Sequence, residues 1–141
     1  MNIGINGYGR IGRVLHRIIS KTKNLSLVAI NDLNPDINNI SYLANYDSTY
    51  GVLNNKFNAE GNYLINDFEK ISVYSCPQID KVPWSKDNID LLIDSSGVAK
   101  NLKNSEKLKK IVQNIIVTNS PEASKVDKTI IFGVNHEELD I

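Results

Sequence analysis

Residues 3–13 read IGINGYGRIGR, with Gly7, Gly9 and Gly12 spaced G-x-G-x-x-G between an apolar run and a stretch of helical periodicity. No other segment constrains the fold as tightly. A strand that passes into a helix through a turn this bare lets backbone come close to something. Gly7 allows the tight turn, Gly9 opens the peptide groups to a ligand, and Gly12 lets the helix press on the first strand. Ile3 to Asn6 reads as a short buried strand. From Gly9 onward Ile11, Leu15, Ile18 and Ile19 form an apolar helical stripe, with Arg10, Arg13 and Arg17 on the other side. The plain reading of Arg13 and Arg17 is a solvated helix face. LSLVAI, residues 25–30, is near-continuous apolar, as expected of a strand covered on both faces. Strand, helix and strand in about thirty residues make a βαβ unit.

The remaining pattern extends this alternation. Pro35 at a first-turn position and the spacing of Ile37, Ile40 and Leu43 predict a second helix to about Asn45. Residues 51–75 change character. Short strands at Lys56 to Ala59, Tyr63 to Ile65 and Ile71 to Tyr74, separated by Glu60-Gly61-Asn62 and Asn66-Asp67, read as a small antiparallel insertion. Then Ile89 to Ile93 reads as strand, Asn101 to Lys110 as a Lys-rich helix, Ile115 to Thr118 as strand, and Thr129 to Phe132 as a further strand. The expected class is α/β, a doubly wound, mostly parallel, Rossmann-like sheet. At 141 residues one domain, 1–141, accommodates all of it.

Composition narrows the function. A formal net charge of +0 argues against nucleic acid or a membrane surface as a charge-driven partner. No apolar run has the length of a membrane span. One cysteine forms no internal disulfide, which fits a reducing, cytoplasmic setting. No metal-ligand pattern stands out.

The chemistry of the turn follows from its place. A helix N-terminus offers unpaired N–H groups, from about Arg10 and Ile11, to negative phosphates. Asp32 follows Gly12 by 20 residues, at the end of the second strand. A carboxylate there accepts hydrogen bonds from ribose hydroxyls, and its charge repels a 2′-phosphate. Leu33 and Asn34 add no cation, so the cofactor reads as NAD rather than NADP. Crevices in such sheets open at strand C-terminal ends. Asp94-Ser95-Ser96-Gly97 and Thr118-Asn119-Ser120-Pro121 are therefore candidates for the ribose and nicotinamide side, with loop capping as the alternative.

With these segments placed, the chain resembles the N-terminal, coenzyme-binding portion of the glyceraldehyde-3-phosphate dehydrogenase family. The resemblance rests on INGYGRIGR at 5–13, VAIND at 28–32, YDSTYG at 46–51, VPW at 82–84, DSSGV at 94–98 and GVNHEELD at 133–140. It implies a homotetrameric, cytoplasmic glycolytic enzyme that oxidises a phosphorylated aldehyde to an acyl phosphate with NAD and inorganic phosphate. It implies pyrophosphate contacts from Arg10 and Ile11, ribose contacts from Asp32, and cofactor-pocket roles for Ser96 and Gly97. At Asn119 the family usually has Ser or Thr. At Cys76 and Pro77 it typically has an acidic residue followed by Arg or Lys, so a donor near the adenine is missing here.

The family's nucleophilic cysteine lies in an S-C-T-T-N segment that this sequence does not contain. The expectation is a coenzyme-binding portion, truncated before the catalytic domain, that binds NAD without turnover. Cys76 reads as an ordinary loop cysteine, and His16 and His136 as structural residues, so no catalytic residue is assigned. Two alternatives stay open. One is the same portion of a relative acting on another phosphorylated aldehyde, such as erythrose 4-phosphate; the other is a non-catalytic nucleotide-binding remnant. A kinase-type glycine-rich loop is weaker, because no strand-borne lysine follows in the right setting.

Overall fold

The computed structural model describes residues 1–139. Strands β1 (Asn2–Asn6), β2 (Ser26–Asn31), β7 (Lys70–Tyr74), β8 (Leu91–Asp94) and β9 (Asn114–Val117) pair in parallel in the order β7-β2-β1-β8-β9. β5 (Asn58–Glu60) and β6 (Tyr63–Ile65) extend the β7 edge with antiparallel pairing, completing a 7-stranded sheet. A separate two-stranded ribbon joins β3 (Tyr46–Asp47) to β4 (Gly51–Val52). The chain thus winds outward from β1 through β2 to β7, then returns to the other side of β1 for β8 and β9. That reversal leaves the strand order switching at β1, which is where such sheets open a crevice.

Two apolar layers cover the sheet. Ile3, Ile5, Leu27, Ile30 and Ile93 share one with Ile19 of α1 (Arg10–Ile19) and Ile40 and Ala44 of α2 (Ile37–Asn45). Ala29 and Leu92 meet Ile79, Val82, Trp84, Leu108 and Val112 in the other. A bulge keeps the two faces in phase. Ile3 pairs with Leu27 and Gly4 with Ala29, so Val28 is the extra residue, and Leu27 and Ala29 face opposite layers despite their even spacing. Gly4 is small because a Cβ there would lie 2.6 Å from Ile89 Cδ1 and 3.2 Å from Trp84 Cζ3. The indole fills that space and donates its N–H to the Ile79 carbonyl at 2.9 Å.

Several expectations need correction. The apolar stripe of α1 is only partly inward: Ile11 and Ile18 are 53% and 54% exposed, while Gly12, His16, Arg17 and Ile19 are buried. Arg17 is not on a solvated face. Its guanidinium donates to the Gly51 carbonyl at 2.9 Å and, at 3.4 Å each, to those of Ala44 and Tyr50, tying the ribbon and α2 to α1. Pro35 lies outside α2, whose cap is Asp36, accepting from the Asn38 and Asn39 amides. The antiparallel strands expected over 51–75 are present as β5, β6 and β7, and β7 in addition joins the parallel sheet beside β2. The Lys-rich helix is shorter than expected, α3 (Lys100–Ser105) followed by a 3₁₀ turn at Glu106–Leu108.

Thr129 to Phe132 form no strand. Their β-branched residues favour one, but Asn135 takes the backbone groups instead. Its Oδ1 accepts from the Ile131 amide at 2.7 Å and its Nδ2 donates to the Thr129 carbonyl at 3.0 Å. The last residue of the GVNHEELD stretch, Asp140, lies outside the described residues.

Candidate functional site

The turn at β1 is built as the three glycines require. Gly7 has φ +92, and its N–H donates to the Asn31 carbonyl at 2.7 Å. A Cβ on Gly7 would lie 2.5 Å from Ser96 Cα, so the loop after β8 packs directly on this turn. A Cβ on Gly12 would lie 2.3 Å from the Gly7 carbonyl oxygen and 3.2 Å from Ile5 Cγ2. Helix and turn are therefore in backbone contact. Gly9 differs: nothing lies within 4 Å of its Cβ position, and it caps α1 with no side chain. Arg10 and Ile11 are exposed, and no acidic residue occupies the first turn of α1. Unclaimed amides, an absent acid and open space over Gly9 are what a diphosphate requires.

Asp32 turns toward this hollow. Its Oδ2 accepts from the Tyr8 amide at 2.7 Å and its Oδ1 from the Asn34 amide at 2.9 Å. Each oxygen keeps lone-pair capacity for a ribose hydroxyl. Beside it a cavity of about 240 Å³ is lined by Asn34, Pro35, Asn62, Val73, Tyr74 and Ser75. A larger hollow of about 550 Å³ lies between α3 and residues 124–127 and touches none of the turn.

The loop after β8 has a different character. Ser95 Oγ donates to the Gly7 carbonyl at 2.7 Å. Ser96 Oγ donates to Asp94 Oδ1 at 2.6 Å and accepts from Asn101 Nδ2 at 3.0 Å and from the Val98 amide at 3.2 Å. Both hydroxyl protons are spent inside the protein, so the donors this loop offers a ligand are backbone groups around the exposed Gly97, at φ +73. Past β9, Asn119 Oδ1 is buried without a hydrogen-bond partner.

The cysteine and the buried histidine lie in different layers. Cys76 packs beside the Trp84 cluster, whereas His16 is shut between Tyr8 and Phe57, with ring centroids 5.9 Å and 5.2 Å away. A 2.5 Å hydrogen bond joins His16 Nδ1 to the Tyr8 hydroxyl, and Nε2 has no partner. Burial, reinforced by the Arg17 charge, lowers the His16 pKa to about 4. Burial likewise raises that of Tyr8. His16 is thus a neutral core residue. His136 is exposed, accepting from the Gly133 amide at 3.1 Å beside the Phe132 ring.

Sequence reasoning missed residues beneath the site: Tyr8, whose amide aims Asp32, and Asn31 and Asn6, which join the candidate Asp94 in one row. A signal was present, since three adjacent apolar strands each end on an amide or acid side chain.

Fold and turn together define the class: a Rossmann-like α/β domain with its glycine-rich turn at the switch in strand order. Within that class, residues 1–102 match the family model described as glyceraldehyde 3-phosphate dehydrogenase, NAD binding domain, and the chain belongs to that family. Glyceraldehyde-3-phosphate dehydrogenase of Ogataea parapolymorpha is 35% identical over 139 residues, 97% of this chain and 40% of the relative. The Mycoplasma pneumoniae enzyme is 33% identical over 141 residues, 99% of this chain and 41% of the relative. That of Thermotoga maritima is 36% identical over 140 residues, 97% and 41% respectively. The chain spans about two fifths of the length of these curated relatives. No helix among the described residues is long and apolar enough to cross a membrane.

Proposed function

We propose that this chain binds NAD across the C-terminal ends of β2, β1, β8 and β9, as the coenzyme-binding portion of a phosphorylating aldehyde dehydrogenase. The single observation that carries the reading is the Tyr8 amide bonded at 2.7 Å to Asp32 Oδ2, which draws the ribose-binding acid to the diphosphate turn. Amides of Arg10 and Ile11 receive the diphosphate over Gly9, with Gly7 and Gly12 shaping the turn. Asp32 accepts the adenosine ribose hydroxyls. Ser95 and Ser96 hold the Gly97 backbone toward the nicotinamide side, and the orphaned Asn119 Oδ1 is an acceptor there. When bound, NAD supplies the hydride acceptor for aldehyde oxidation. This chain's part is to orient it.

The complete protein, on this reading, adds a catalytic domain beyond residues 1–141 and takes a phosphorylated aldehyde such as glyceraldehyde 3-phosphate. It works in the cytoplasm as a homotetramer. The relatives' names support the substrate, and the single cysteine fits a reducing compartment.

Titration calorimetry of the 141-residue chain with NAD and NADP tests the proposal. NAD is expected to bind at least tenfold tighter than NADP. Asp32→Ala is expected to weaken NAD about tenfold, the order of one charge-assisted hydrogen-bond pair. Equal affinity for the two cofactors, or no loss in the variant, overturns the ribose assignment.

A further inference from the structure

Asn31, Asn6 and Asp94 close three adjacent parallel strands in strict register: Asn6 is paired with Asn31 on one side and with Asp94 on the other. All are nearly inaccessible, at 3%, 4% and 4% exposure. Their side chains form one row of hydrogen bonds across the floor of the crevice. Asn31 Nδ2 donates to Asn6 Oδ1 at 2.7 Å, and Asn6 Nδ2 donates to Asp94 Oδ1 at 2.9 Å. The row does not stop at the strands. At one end the Asn31 amide clasps the peptide groups of Cys76, accepting from its N–H at 2.8 Å and donating to its carbonyl at 3.0 Å. At the other end Asp94 Oδ1 accepts from the Ser96 amide at 3.1 Å and from its hydroxyl at 2.6 Å.

The polarity of this row is fixed from both ends. Cys76 presents one donor and one acceptor, which orients the Asn31 amide. Asp94 Oδ1, already receiving the Ser96 N–H, can only accept from Asn6. The two constraints agree on a single arrangement in which every side-chain amide oxygen and nitrogen has a partner. Buried polar residues cost stability unless fully paired, and apolar side chains would serve packing alone at least as well. What the row adds is a fixed separation. Cys76 is the second residue of the loop after β7, next to Ser75 of the 240 Å³ cavity on the Asp32 side, and Ser96 lies in the loop on the far side of the diphosphate turn.

We propose that Asn31, Asn6 and Asp94 are positioning residues that brace the Cys76 loop against the Ser96 loop, so that the two halves of a dinucleotide are bound as one unit. This rests on the NAD reading above. A ligand joined across two subsites gains an effective concentration that depends on their spacing being held. A one-ended ligand gains nothing from it.

The test compares NAD with AMP, which reaches only the Asp32 side, by calorimetry on wild type and Asn6→Ala. The variant is expected to weaken NAD about tenfold while AMP stays within about twofold, which a general loss of folding does not produce. An equal change for both ligands, or none for NAD, overturns the brace. Should Asn6→Ala fail to fold, Asp94→Asn decides the matter. It keeps the shape and one acceptor, and the ratio of AMP to NAD dissociation constants is expected to fall about threefold. A ratio unchanged there overturns the proposal. Wild type that binds AMP but not NAD sinks the dinucleotide reading itself, and the brace with it.

Discussion

Between Asn2 and Asp32 the apolar strand residues are shut between two layers, whereas Ile131, Phe132 and Val134 are 58%, 88% and 77% exposed. The difference is not one of strand propensity, since TIIF at 129–132 is β-branched and aromatic too. It lies in the range of the contacts. In the first stretch backbone groups pair across the sheet with β2 and β8, and Gly7 reaches the Asn31 carbonyl. After Thr118, backbone hydrogen bonds among the described residues join groups three or four positions apart. Side chains close the same short loops, as Asn135 does over Thr129 and Ile131. A strand-forming sequence becomes a strand only when a partner edge is within reach.

The contrast breaks most violently at Gly12. Gly12→Ala places a methyl group 2.3 Å from the Gly7 carbonyl, and backbone on both sides must move. A loss of about 4 kcal/mol is expected in urea unfolding, at the upper end of what single substitutions cost. Gly9→Ala is the internal control. Its methyl group meets nothing within 4 Å, so stability should hold while NAD binding falls. Equal losses in the two variants would show that the turn is not packed as described.

A smaller effect, also confined to the first unit, comes from His16. In the unfolded chain an imidazole takes a proton near pH 6.5; in the fold, burial holds it neutral until about pH 4. Between those values the unfolded chain binds more protons, so stability rises with pH. The contribution is complete above pH 6.5 and is lost as pH falls to 4, to the extent of about 3 kcal/mol. The carboxylates of Asp47, held low by the Tyr50 and Thr49 amides, and of Asp80, held low by Lys107, titrate below that window. His16→Phe should flatten the difference between pH 6.5 and 4 in denaturant midpoints. An unchanged slope would mean that His16 is not sealed between Tyr8 and Phe57.

How much could be read from residues alone follows the same division by range. The glycine spacing, the register of Asp32 and the parallel alternation depend on neighbours along the chain, and the structure has them where the spacing puts them. Arg17 was unreadable because its partners are carbonyls at Ala44 and Gly51, contributed by a helix and a ribbon formed later in the chain. Hydropathy alone turns Ile11 and Ile18 inward, while the inner face is set by Gly12, His16 and Ile19. The row under the crevice was missed for a related reason. Asn6, Asn31 and Asp94 each look like the polar end of a strand until β1 is known to lie between β2 and β8.

The smallest expected effect sharpens the contrast from the opposite side. Phe132 carries more apolar surface than any residue of β1, yet hydrophobic stabilisation counts only surface withdrawn from water on folding. At 88% exposure almost none is withdrawn, and the ring lies beside the exposed His136 ring, with centroids 4.8 Å apart. Phe132→Ser should therefore change the unfolding free energy of the chain by less than about 0.5 kcal/mol. Removal of the exposed Lys125–Glu122 pair with Glu122→Gln should do no more, since such pairs are worth about that or less. A loss above about 1 kcal/mol at Phe132 would mean that this stretch packs on the domain in solution, because only a buried ring costs that much to remove. The opposition between a unit held by distant partners and a segment held by near ones would then fail at its weaker end.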